Sequence, residues 1–164
     1  MPVVNTKSTN ITRGDTVGST NNGYLYKGEL FKALGLVSVA ASDDDTSTYR
    51  VVRVPSNALV SKVQVVNSAI TGGTSYDVGV YRTAADGGAV VSATAIASAV
   101  DMSSARAAWT DVSFEARAIT DAEKRLWELL SLTKDPQVEY DIVLRANTVG
   151  TAAGTIVVAV EYTV

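Results

Sequence analysis

Glu139-Tyr140-Asp141-Ile142-Val143-Leu144-Arg145 and, after a gap holding Asn147, Gly150 and Gly154, Thr155-Ile156-Val157-Val158-Ala159-Val160-Glu161-Tyr162-Thr163 decide the fold class. In the first run Tyr140, Ile142 and Leu144 alternate with Glu139, Asp141 and Arg145. In the second, Ile156, Val158, Val160 and Tyr162 alternate with Thr155, Glu161 and Thr163. A period of two sends successive side chains to opposite faces of a strand, so each run is expected to bury one face and wet the other. Each buried aliphatic side chain is worth about 1.5–3 kcal/mol, so this pair of strands is expected to hold much of the core.

The same pattern continues upstream. Residues 49–54 read as a strand, turned at Pro55-Ser56-Asn57. Residues 59–66 return with Val63 and Val65 on one face and Lys62 and Gln64 on the other. After Thr71-Gly72-Gly73, residues 76–82 set Tyr76, Val78 and Val80 against Asp77, Gly79 and Tyr81. Ala85-Asp86-Gly87-Gly88 is a tight hairpin signal leading into Val90-Val91. Residues 92–108 are rich in alanine, which favours helix. The alternation of Ile96, Ser98 and Val100 instead suits a strand with a loop behind it, and residues 112–117 are expected to add a short strand with Phe114 inward. Strands and turns recurring about every ten residues indicate a sandwich or barrel rather than a βαβ array.

One helix interrupts the strands. Thr120 and Glu123 have capping-box spacing, and Ala122, Leu126, Leu129 and Leu130 follow as a single apolar stripe, flanked by Trp127 and closed by Pro136. This helix is expected to lie across an open end of the sandwich. Residues 24–36 could form one short helical turn followed by a strand, and the pattern leaves them ambiguous.

Residues 1–23 differ in kind from the rest. Thr6, Thr9, Thr12, Thr16 and Thr20 are interleaved with Asn and Gly, and the sparse Val3, Val4, Ile11 and Val17 follow neither period. Such a segment cannot bury enough surface alone to offset its ordering entropy. The expected organisation is an extended N-terminal arm, residues 1–23, and a β-sandwich domain, residues 24–164.

Composition narrows the function. The chain has 164 residues, enough for one well-packed domain, and neither histidine nor cysteine. It therefore lacks the residue types behind most acid–base triads, thiol nucleophiles and zinc sites. Charged residues make up only 19%, which suits two-faced strands better than a helical bundle. The net charge of −3, without a basic cluster, disfavours nucleic acid as a partner. No signal-peptide pattern opens the chain, and no apolar run approaches the roughly 20 residues that span a bilayer, so no membrane partner is expected.

No phosphate loop, dinucleotide fingerprint, nucleophile elbow or metal-ligand cluster is present, so neither cofactor nor metal is expected. Asp43-Asp44-Asp45 lacks the spacing of a calcium loop and reads as a solvated turn. Asp77, Asp86, Asp111, Glu115, Glu139 and Asp141 fall on polar strand faces or in turns, with nothing pairing two of them across a cleft as a glycosidase needs. Trp109 and Tyr81 are the aromatics to check for an exposed sugar-stacking platform. The expected class is a structural, non-enzymatic protein.

Four stretches carry a family resemblance: Thr48-Tyr49-Arg50-Val51-Val52-Arg53-Val54-Pro55-Ser56-Asn57-Ala58; Val63-Gln64-Val65; Asp77-Val78-Gly79-Val80-Tyr81-Arg82-Thr83-Ala84-Ala85-Asp86-Gly87-Gly88-Ala89-Val90-Val91; and Lys124-Arg125-Leu126-Trp127-Glu128-Leu129-Leu130. With the Thr/Asn-rich arm, they resemble the capsid cement, or decoration, proteins of tailed bacteriophages. The resemblance implies an all-β, jelly-roll-like antiparallel sandwich bound to the outer surface of a capsid and bridging major capsid protein subunits. It implies a homo-oligomer on a local symmetry axis, for which a dimer is favoured over a trimer because twofold closure is commonest. It also implies residence on the virion exterior, after assembly in the host cytoplasm. In the arm, Val3, Val4, Asn5, Ile11, Arg13 and Val17 are the expected capsid-binding residues. The alternative is a carbohydrate- or receptor-binding jelly-roll module of a phage fibre or tail, for which Trp109 and the Asp43–Asp45 loop are the leads.

Overall fold

A computed structural model describes Lys7, Ser8, Ile11, Thr12, Asp15, Thr16 and residues 28–164. Among the described residues there are eight strands: β1 (Leu30–Val39), β2 (Thr48–Pro55), β3 (Leu59–Asn67), β4 (Ser75–Arg82), β5 (Val90–Val100), β6 (Arg106–Asp111), β7 (Glu139–Thr148) and β8 (Gly154–Thr163). They form two four-stranded antiparallel sheets, ordered β1-β8-β3-β6 and β2-β7-β4-β5. Successive strands alternate between the sheets over much of the chain, which is the connectivity of a jelly roll. The all-β sandwich expected from the alternation is the observed fold.

The core lies between the sheets, on the residues the alternation marks. Val63, Val65, Tyr76, Val78, Val80, Ile142, Leu144, Ile156, Val158 and Val160 are all fully buried. The β4–β5 connection is a short 3-10 turn at Ala84–Asp86, capped by the Thr83 side chain and closed through Gly87.

In the second sheet the alternation fails on its polar side. Asp77, Tyr81, Asp141 and Val143 point away from the core, yet all four are buried. Arg50 of β2 lies across this outer face: its guanidinium donates to Asp141, to the Arg82 carbonyl and to the Gly88 carbonyl, each at 2.8 Å, and stands 6.0 Å from the Tyr81 ring centroid. β5 also bulges between its pairings Ala97–Val78 and Ser92–Val80, and its backbone passes over Gly79. A side chain on Gly79 would strike the carbonyls of Ser92 and Ala93. Strand periodicity reports the pleat and is blind to chain folded over the outer face.

Two local expectations are corrected. Residues 112–117 form turns, not a strand: the Asp111 carboxylate accepts from Ser113 N–H at 2.9 Å and bends the chain, leaving Phe114 43% exposed under the Arg117 guanidinium. The helix α1 is one turn, Leu126–Leu129. Its reciprocal capping contact is made by Glu128, which accepts from Arg125 N–H at 2.8 Å, while Thr120 sits in a 3-10 turn. The β2–β3 turn sets this start, because Ala58 and Ser56 carbonyls accept from Leu126 and Trp127 N–H at 2.7 and 3.0 Å. As expected, Leu126 enters the core at that end of the sandwich. Of residues 24–36, those from Leu30 onward are strand; 24–27 lie outside the described residues.

Candidate interaction surface

The two sheets treat their outer faces oppositely. The second is covered by Arg50 and the β5 bulge; the first carries large apolar side chains in the open. β1 and β8 pair without a register break from Leu30–Thr163 to Val39–Gly154, so their outward side chains form regular rows. β3 continues them across β8, and β6 completes the sheet at its far edge.

One row runs Leu36, Val157, Val66, with Trp109 at the β6 end. The next runs Leu34, Ala159, Gln64, Asp111, and a third runs Lys32, Glu161, Lys62. Leu34, Leu36 and Trp109 are 60%, 64% and 43% exposed. Lys32 reaches over the face, with its ammonium 3.2 Å from Glu161 and 5.8 Å from the Trp109 ring centroid. Contiguous exposed apolar side chains rimmed by polar ones mark an interaction site. Leu34 and Leu36 were missed from sequence because β1 could not be told from a helical segment there. Trp109 was legible as an aromatic to check.

Of the capsid-binding residues expected in 1–23, the structure describes Ile11. Ile11 is exposed and lies in a helical turn in which the Ser8 carbonyl accepts from Thr12 N–H at 3.0 Å. Val3, Val4, Asn5, Arg13 and Val17 lie outside the described residues.

Two of the carboxylates singled out from sequence, Asp77 and Asp141, tie neighbouring strands together. Asp77 accepts from Ser98 Oγ at 3.2 Å, Ala99 N–H at 3.0 Å and Asn147 Nδ2 at 2.7 Å, holding β5 and β7 to β4. Asp141, expected on a wet face, is 4% exposed and pairs with Arg50 and Arg53. Asp43 accepts from Ala40 N–H and Tyr49 Oη at 2.9 and 2.7 Å, and Asp45 accepts from Val149 N–H at 2.9 Å. These bonds tie the acidic loop to the sheet ends, so only part of it is the solvated turn expected. Backbone and tyrosine donors hold the Asp43 carboxyl below its ordinary pKa. Among the described residues, no three acids gather as a metal-binding group. Tyr81 is buried, which removes it as a stacking platform.

Neither a protein-family model nor a curated protein matches the chain. Among solved structures it is similar in fold to a chain of the cyanophage Pam1 capsid asymmetric unit, with a TM-score of 0.53 and 19% identity over 100% of this chain and 99% of that one.

Proposed function

We propose that this chain is a structural virion protein that binds the outer surface of a phage capsid and stabilises the lattice by bridging major capsid protein subunits. The observation that carries the reading is the end-to-end likeness of its jelly roll to a chain of a phage capsid unit. The exposed apolar face of the first sheet adds support, because such a face suits a protein that works by packing against others.

The physical logic is that of a clamp. A capsid repeats one surface many times, and a protein touching two neighbours binds the second at high effective concentration, so modest contacts give strong retention. An arm at residues 1–23 lengthens that reach and can add to an exposed sheet edge on the shell. On this reading the arm's Val3, Val4, Asn5, Ile11, Arg13 and Val17 touch the shell. The protein self-associates, as a twofold dimer rather than a trimer, is assembled in the host cytoplasm, and resides on the capsid exterior.

Co-sedimentation with expanded capsids that lack the protein tests this, comparing the intact chain with a deletion of residues 1–22. Saturable binding that weakens in the deletion is expected. No binding by either form would overturn the reading and turn attention to a glycan-binding role around the exposed Trp109.

A further inference from the structure

We infer that the outer face of the β1-β8-β3-β6 sheet is the surface through which two copies of this chain pack, related by a twofold axis through that face. The inference deepens the self-association proposed above by assigning its surface, and it rests on that reading. Four observations carry it.

The first is asymmetry. The outer face of the β2-β7-β4-β5 sheet is already covered by its own chain, whereas Leu34, Leu36 and Trp109 stand open on this one. The second is shape. Ten uninterrupted β1–β8 pairings make a regular surface, and two such surfaces can stack face to face with aligned strands.

The third is area. Strands β1, β8, β3 and β6, of ten, ten, nine and six residues, make a footprint on the order of 550 Å² per copy, at the low end of what a specific dimer buries. The fourth is charge. Lys32 and Lys62 face outward beside Glu161 and Asp111, two cations with two carboxylates, so the face does not repel its own copy. An isologous contact sets one patch against itself and requires such self-complementarity. Trp109 and the two leucines supply the large anchors that dominate interface energy.

Sedimentation velocity of the full-length protein over a wide concentration range tests the assignment, with the variant Leu34→Glu/Leu36→Glu. Both leucines project into solvent, so the variant is expected to keep the circular dichroism and melting curve of the parent. The parent is expected to pass from monomer to dimer as concentration rises, and the variant to dissociate at least tenfold more readily. The protein has two tryptophans, so Trp127→Phe leaves Trp109 as the sole reporter. Its emission should shift to the blue and lose accessibility to iodide as the dimer forms. A dimer that persists in the variant, or forms with Trp109 still quenched, would overturn the assignment. So would a parent that stays monomeric at every concentration. If that monomer still bound capsids, and the leucine variant did not, the face would belong to the capsid and the virion reading would survive.

Discussion

Asp141 of β7 accepts a hydrogen bond from the Arg50 guanidinium of β2 at 2.8 Å, on the side of the second sheet that faces away from the core. Arg53 holds the other carboxylate oxygen through Nε at 2.7 Å, so one acid ties two residues of the neighbouring strand across the bulge between Arg50 and Val52. Burial alone would raise the Asp141 pKa. Hydrogen bonds from Arg53 and Arg50, and their charges, outweigh it and hold the pKa below the ordinary carboxylate value.

Asp141→Asn should destabilise the protein by about 1–3 kcal/mol. Breaking a fully buried pair costs more, but the Arg50 and Arg53 side chains are 34% and 48% exposed and keep access to water. A folded pKa below the unfolded one means that the stabilisation is complete above the unfolded value and is lost as pH falls through the folded value. Urea unfolding between about pH 5 and pH 2 should show a steep loss in the parent and a flatter one in the variant. Equal slopes would show that other acids govern the transition.

Tyr76 contributes to the alkaline limb, together with Tyr49, Tyr81 and Tyr140, whose pKa values burial also raises. The Tyr76 hydroxyl donates to the Val149 carbonyl at 2.7 Å in the core, and burial, followed by the charges of Asp43 and Asp45, pushes its pKa up to about 12. A raised folded pKa gives stabilisation that is complete below the unfolded value near 10 and lost as pH climbs towards 12. Tyr76→Phe should cost about 1–3 kcal/mol at neutral pH, because the Val149 carbonyl loses its donor, and should flatten the decline above pH 10. Thermal melts across that range, alongside tyrosinate absorbance, read both effects.

Gly79→Ala should destabilise by about 1–3 kcal/mol or prevent folding, since the new methyl would strike the backbone carbonyls of Ser92 and Ala93, which cannot rotate away. Gly35→Ala should behave alike, because a β-carbon there collides with the Val51 carbonyl where β1 crosses β2. Melting temperatures within a degree or so of the parent would mean that the β5 bulge and the β1–β2 crossing relax easily.

Leu126→Ala should cost about 2–5 kcal/mol and loosen the segment that closes the β2–β3 end, because Leu126 is the buried residue of α1. Ile119→Ser, a few residues earlier, should stay within about 0.5 kcal/mol, since Ile119 is 85% exposed. Denaturant midpoints for the pair separate core contact from mere hydrophobicity in one segment.

The core was legible because burial on the inner face follows the pleat. Val63, Val65, Tyr76, Val78, Val80, Ile142, Leu144, Ile156, Val158 and Val160 could be named from period two alone. The helix boundary was not, because the Ser56 and Ala58 carbonyls that satisfy its first N–H groups come from a distant turn. Phe114 looked like a core residue because its neighbours alternate, but the Asp111–Ser113 turn outcompetes a ladder hydrogen bond there. Of the interaction surface, Trp109 was marked in advance. Leu34 and Leu36 were not, since an exposed leucine on β1 has the same local signature as a buried one.

Alternation, turn residues and the absence of histidine and cysteine determine by themselves an all-β sandwich, its inner face, and the lack of the residue types behind most familiar chemistry. Those properties depend on neighbours in the chain, one or two residues apart. Which outer face is sealed and which is open was decided only in three dimensions. Arg50 reaching Asp141 and Gly88, β5 folding over Gly79, and β1 meeting β8 at the sheet edge all join residues far apart in sequence. Long-range contacts of this kind leave no periodic trace, because the side chain that covers a surface need not share its strand.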